Sequence, residues 1–191
     1  MDKKISVAVV VVAVVFSVFV LSSPSDPIPL PDPNSSYKDE SVEILAENLD
    51  KPRSIAVSEN RIFVTEKDGS IVVIENDVQL ESPLATFRAA DVFDGGLLGI
   101  TLHPNFAENH YIYVFLTYEE NEALWNKIMR ITESENKLQA AKTIFDRIPA
   151  SSFTNGGFMK FGPDNKLYIG TVLHLIHLIC HKILILCLVK F

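Results

Sequence analysis

The chain has 191 residues, a formal net charge of −7 and 48% hydrophobic residues. With no basic stripe to neutralise phosphates, that balance excludes nucleic acid as a partner. Both cysteines lie beyond residue 172, so no disulfide framework holds the main body together.

Lys3 and Lys4 precede an apolar run from Ile5 to Leu21, closed by Ser22-Ser23-Pro24-Ser25-Asp26. A basic start followed by such a run is an export signal. Residues 1–21 are either a cleaved signal peptide or a retained anchor, since about 17 apolar residues can just span a bilayer. Lysines on the N-terminal side place the rest outside the cytoplasm, with membrane contact through residues 5–21. Residues 22–41 follow as a Pro/Ser-rich linker, typified by Pro27-Ile28-Pro29-Leu30-Pro31-Asp32-Pro33. Such a composition favours an extended spacer over a packed core. Within it, Asn34-Ser35-Ser36 fits a glycosylation sequon.

From 42 to 171 the apolar residues recur in short runs bounded by turn residues, which predicts strands. The runs are 55–57, 61–65, 70–75, 98–102, 111–117, 126–132, 158–161 and 166–171. Asp68-Gly69 predicts a tight hairpin between two of them. Residues 119–125 suit a short helical turn. The runs also repeat: Phe63, Tyr113 and Tyr168 hold the same place in three copies, 50 and 55 positions apart. Each copy is a strand, a polar turn and a second strand rich in aromatic and β-branched residues. A period of about 50 residues with several strands per unit predicts a β-propeller, here two blades and the start of a third. A sandwich of short strands is the alternative.

At Val172 the composition breaks. Residues 172–191 lack Asp, Glu, Gly, Pro and Ser, yet hold both cysteines and three of the five histidines. The tail reads as translation in a wrong frame. Its rivals are a second membrane segment and a zinc site from His174, His177 and Cys180, which three-residue spacing would align on a helix.

Three segments carry a resemblance. Gly95-Gly96-Leu97-Leu98-Gly99 with His103-Pro104-Asn105-Phe106 resembles a segment of the glucose/sorbosone dehydrogenases, the soluble aldose sugar dehydrogenases dependent on pyrroloquinoline quinone (PQQ). Asn48-Leu49-Asp50-Lys51-Pro52-Arg53 and Val64 to Ile71 resemble that family's first blade. Asn155-Gly156-Gly157, Phe161-Gly162-Pro163-Asp164 and Leu167-Tyr168-Ile169 resemble its third motif. The resemblance covers 42–171 and implies the N-terminal part of a six-bladed propeller.

It further implies PQQ and Ca²⁺ at the mouth of the central channel, and oxidation of an aldose at its anomeric carbon. A histidine would take the hydroxyl proton while hydride passes to the quinone, and an electron acceptor would follow. The family's histidine position is Thr154 here, preceded by Phe153, where the sugar enzymes can carry a polar residue. A threonine hydroxyl does not titrate near neutral pH and is no substitute for imidazole as a base. The resemblance implies a PQQ-dependent aldose dehydrogenase. With Thr154 at the base position and the later blades missing, the chain is read as an inactive fragment with no assigned catalytic residue, metal ligand or bound cofactor. The alternative is a non-catalytic extracellular propeller that binds carbohydrate or protein. Asp94, Asn155 and Gly156 are the positions it assigns to cofactor or substrate.

Other readings of these residues stay open. Asp94 before Gly-Gly is also an ordinary turn former. The pairs Gly95-Gly96 and Gly156-Gly157 either let backbone approach a flat cofactor or begin crowded inner strands. His103 reads as structural and His110 as a solvated loop residue. Tyr118 and Trp125 either pack between blades or stack on a sugar.

Overall fold

The structure, a computed structural model, describes residues 43–173 and 182–188, all within one compact unit that begins at Glu43. The apolar run 5–21, the linker 22–41 and most of the tail lie outside the described residues. Among the described residues no helix is long and apolar enough to cross a membrane.

Three antiparallel sheets follow one another along the chain. The first holds β1 (Pro52–Ser58), β2 (Arg61–Glu66), β3 (Ser70–Glu75) and β4 (Val78–Gln79) in that order, with β5 (Ala85–Thr86) also on β3. The second is β6 (Leu97–Leu102), β7 (Tyr111–Glu120), β8 (Ala123–Ser134) and β9 (Lys137–Pro149). The third is β10 (Gly156–Phe161), β11 (Leu167–Leu173) and β12 (Lys182–Leu188). A four-residue helix, α1 (Phe106–Asn109), joins β6 to β7. The innermost strands β1, β6 and β10 are neighbours, with β6 in the middle. Consecutive twisted sheets meeting along their first strands are the blades of a β-propeller.

The predicted repeat is real at the level of register. Phe63, Tyr113 and Tyr168 each sit on the second strand, opposite Ala56, Thr101 and Lys160 of the first. Each first strand also carries one bulge at the same point, leaving Arg53, Leu98 and Gly157 as the extra residues. A bulge bends its strand and re-aims a side chain, and here all three lie at one end of the sheets.

Burial explains why the middle strand of the second sheet reads as an unbroken apolar run. On β7, Ile112, Val114 and Leu116 join Phe63, Ile71 and Val73 in a core between the first two sheets. The alternate residues Tyr113 and Phe115 join Met159, Leu167 and Ile169 in a second core against the third sheet. Each fully buried side chain of this size contributes about 1.5–3 kcal/mol. The free face of the first sheet, with Val64, Val72 and Ile74, is packed by Ala46 and Leu49 of the preceding segment.

Three features differ from the strand reading. Residues 119–125 are no helical turn: they form the tip of the β7–β8 hairpin, with Asn121 and Glu122 both at positive φ. β9 was not legible as a strand, because it lies at the sheet edge with almost every residue exposed. The third sheet has more than two strands, since β11 runs on to Leu173 and pairs with β12, which lies in the tail. The Asp68-Gly69 hairpin forms as predicted, with the Gly69 N–H donating to the Glu66 carbonyl at 3.1 Å.

Candidate functional site

The loops entering β6 and β10 meet at one rim, and Asn155 is what joins them. Its side chain is fully buried. Its Nδ2 donates to the carbonyls of Asp94 (2.8 Å) and Ser151 (2.7 Å). Its Oδ1 accepts the Ser151 N–H (2.9 Å) and Asn126 Nδ2 (3.3 Å). The Asn155 N–H donates to Asp94 Oδ2 at 3.1 Å, and its carbonyl accepts from Thr171 Oγ1 at 3.0 Å. Behind it, Thr117 Oγ1 donates to Asn126 Oδ1 at 2.7 Å, and both residues are fully buried. A satisfied buried network of this kind fixes loops firmly, because any broken link strands a polar group in low dielectric.

This geometry sorts the three site positions of the sequence. Asn155 has every side-chain polar atom engaged within the chain, so it is a positioning residue that aims Asp94 and Thr154. Asp94 keeps a third of its side chain exposed, with Oδ1 3.8 Å from Arg53 Nη1. Gly156 is exposed at φ +76, and a Cβ there would strike the Gly170 carbonyl and Thr171 Cα, so only glycine fits without strain. Of the glycine pairs, Gly96 and Gly157 are crowded by neighbouring blades. A Cβ on Gly96 would meet the Lys67 carbonyl, and one on Gly157 the Leu98 and Phe115 side chains. Inner-strand crowding accounts for both.

Thr154 is held in a short turn made by Ser151. The Ser151 hydroxyl accepts the Thr154 N–H (3.0 Å), donates to the Thr154 carbonyl (3.1 Å) and lies 3.2 Å from the Thr154 hydroxyl. Ser-x-x-Thr was a readable signal for such a turn, though the sequence reading passed over Ser151. It also missed Arg53, which the β1 bulge brings to Asp94. Just outside the polar hub, Phe93 and Phe153 lie against each other with ring centroids 5.8 Å apart. A neighbouring cavity of about 250 Å³, lined by Asp50, Lys51, Lys67, Asp68 and Ala89 to Asp91, contains neither Asp94 nor Thr154. The polar hub, not that cavity, gathers the chemistry.

The remaining candidates lie elsewhere. His103 sits past the far end of β6, about 20 Å from Asp94 by strand rise. Its Nδ1 accepts from the Asn105 N–H (3.0 Å) and Asn109 Nδ2 (2.8 Å), which leaves the proton on Nε2. Burial first, and the Arg130 charge second, push its pKa below the ordinary value. It packs on Tyr113 and against the edge of Phe161, a structural role as read. His110 does more than a solvated loop residue: its Nδ1 lies 3.1 Å from Oε1 of the buried Glu133. Tyr118 donates to Asp146 at 2.6 Å under Lys127, and Arg147 lies over Trp125. Burial, then that hydrogen bond, raises the Tyr118 pKa to about 12.

A profile of the glucose / sorbosone dehydrogenases matches residues 49–172. The chain belongs to that family. Quinoprotein glucose dehydrogenase B of Acinetobacter calcoaceticus is 29% identical over 139 residues, which is 65% of this chain and 29% of that protein. The human Hedgehog-interacting protein is 27% identical over 131 residues, 57% of this chain and 18% of its own. Among solved structures, the PQQ-bound form of aldose sugar dehydrogenase from Streptomyces coelicolor superposes with a TM-score of 0.62 at 29% identity. It covers 68% of this chain and 40% of that one. The chain thus spans less than a third of these curated relatives and two fifths of that structure.

The fold of a PQQ-dependent sugar dehydrogenase family is therefore present here in its first blades. Among the described residues no group of three or more His, Cys, Asp or Glu side chains converges.

Proposed function

We propose that the rim of Asp94, Thr154 and Gly156 faces an aldose sugar, and that this chain holds such a ligand without oxidising it. The observation that carries this reading is the residue at the family's base position. Oxidation at an anomeric carbon needs a group that takes the hydroxyl proton as hydride leaves. Thr154 offers a hydroxyl already tied to Ser151, while Asp94 and Arg53 supply a polar edge suited to sugar hydroxyls.

The reading includes a place of action. The apolar run 5–21 supports export, so the rim would meet sugars outside the cytoplasm, tethered or free. Protease cleavage of the folded unit in intact cells is the expected result, and full protection would sink this part.

A second reading takes the rim as a protein-binding surface on a non-catalytic propeller. Thr154 favours it, as does the likeness to a protein that interacts with Hedgehog. Saturation-transfer NMR on the full chain with glucose separates the two: signal transfer that Asp94→Asn weakens is expected under the first. Absence of transfer from a folded chain supports the second. A dye-linked aldose assay with added PQQ and Ca²⁺ should show no turnover, and steady turnover dependent on Thr154 would overturn both.

A further inference from the structure

Two phenylalanines stand in the open beside the polar hub. Phe93 is 76% exposed and Phe153 71%, and each directly precedes a rim residue, Asp94 and Thr154. Their rings touch at 5.8 Å between centroids and 43° between planes. Large apolar surface gathered in one exposed place, bordered by polar groups, marks a binding site rather than ordinary surface. The network around Asn155 holds both ring-bearing loops in place, so the pair is preorganised.

We infer that Phe93 and Phe153 are specificity-determining residues that form a shelf for an aromatic aglycone, making the preferred ligand of this rim an aryl glycoside. The sugar ring lies toward Asp94, Arg53 and Thr154, and the aryl group lies across the two phenyl rings. This inference rests on the sugar-facing reading of the rim and sharpens it. The polar side has capacity left: among the described residues Asp94 Oδ1 meets only Arg53, at 3.8 Å, too long to satisfy a carboxylate oxygen. The apolar side extends over two rings, more than one sugar face can cover, and aromatic rings favour an aromatic partner in offset or tilted stacking. A glycoside also has its anomeric oxygen blocked, so it offers no hydroxyl proton there and needs no base at Thr154. The rim thus discriminates by shape and apolarity, not by reaction.

The test compares phenyl β-glucoside, methyl β-glucoside and phenol binding to the full chain by calorimetry or saturation-transfer NMR. Phenyl β-glucoside should bind about tenfold more tightly than the methyl glycoside, the size expected of one well-stacked aromatic contact. Phe93→Ala or Phe153→Ala should reduce that ratio toward one and leave methyl glucoside affinity unchanged, while Phe153→Tyr keeps the ratio. Asp94→Asn should weaken both glycosides. Both phenylalanines are exposed, so the variants keep the fold, which circular dichroism checks. Equal affinity for the two glycosides, or a ratio unchanged by both alanine variants, overturns the shelf while leaving the sugar-facing rim intact. Phenol binding as tightly as its glucoside overturns it too. Failure of both glycosides and glucose to bind removes the rim reading itself.

Discussion

The two seams between sheets are closed by different means. Between the first and second, an apolar core is locked by buried charge. Arg61 of β2 donates from Nη1 to Glu133 Oε1 of β8 at 3.1 Å. Its Nη2 stands 3.0 Å from Oε2, near enough to attract but off the line of a hydrogen bond. His110 completes the grip, and the guanidinium lies over Phe63. Between the second and third sheets no buried ion pair occurs among the described residues. There, backbone comes close to backbone at Gly99 and Gly157, and the amide of Asn155 ties the loops. The difference is instructive: the seam that carries the rim uses neutral groups inside and leaves the Asp94 carboxylate facing outward, toward Arg53 of the first sheet.

Four experiments would break or sharpen that contrast. Glu133→Ala should have the largest effect, costing about 3–5 kcal/mol in urea unfolding, because it leaves the largely buried Arg61 guanidinium with Glu75, 3.9 Å away, as its remaining carboxylate among the described residues. Asn155→Ala should cost about 3 kcal/mol by leaving the Ser151 N–H and Asn126 amide without an acceptor. Hydrogen exchange should show its damage confined to the rim loops, whereas the Glu133 variant loosens the whole first seam. If Asn155→Ala loosens both seams alike, the contrast is wrong. Gly99→Ala should cost about 2 kcal/mol, since the new Cβ runs into the Gly157 carbonyl and the blades must part.

The smallest effect concerns pH. His103 has its pKa lowered in the fold, so the fold favours the neutral ring. Its contribution is complete above the ordinary value of 6.5 and is lost as pH falls toward the lowered folded value. Unfolding at pH 7 and pH 5 should therefore differ less in His103→Gln than in the parent chain. An unchanged difference would show that the second seam does not depend on a neutral imidazole.

Much of the fold was legible because burial on both faces writes itself into a strand. β2, β3 and β7 are covered on either side, and their runs of Val, Ile and Phe cannot be mistaken. β9 was missed for the opposite reason: Lys137 to Thr143 bury nothing, so no pattern distinguishes them from loop. The Asn121-Glu122 turn lacks glycine and hid the hairpin that it makes. At the rim, the family likeness pointed to Asp94, Asn155 and Gly156 together. Only geometry separates them, because an asparagine that binds a ligand and one that binds its own chain look identical in a sequence. Arg53 was unreadable as a rim residue, since its direction is set by a bulge that appears only when strands pair.

That bulge, present once in each sheet at the same register, also bears on how such a rim can be altered. The extra residue is surplus to the ladder of strand hydrogen bonds, but Leu98 is buried in the core and a Cβ at Gly157 would meet Leu98 and Phe115. Only the exposed Arg53 stands where the framework does not depend on the side chain. Arg53 occupies one such socket with a cation, Leu98 another with an aliphatic plug, and Gly157 leaves the third bare. Arg53 is thus the position where new chemistry can be installed at the rim while the sheet beneath it is left as it was.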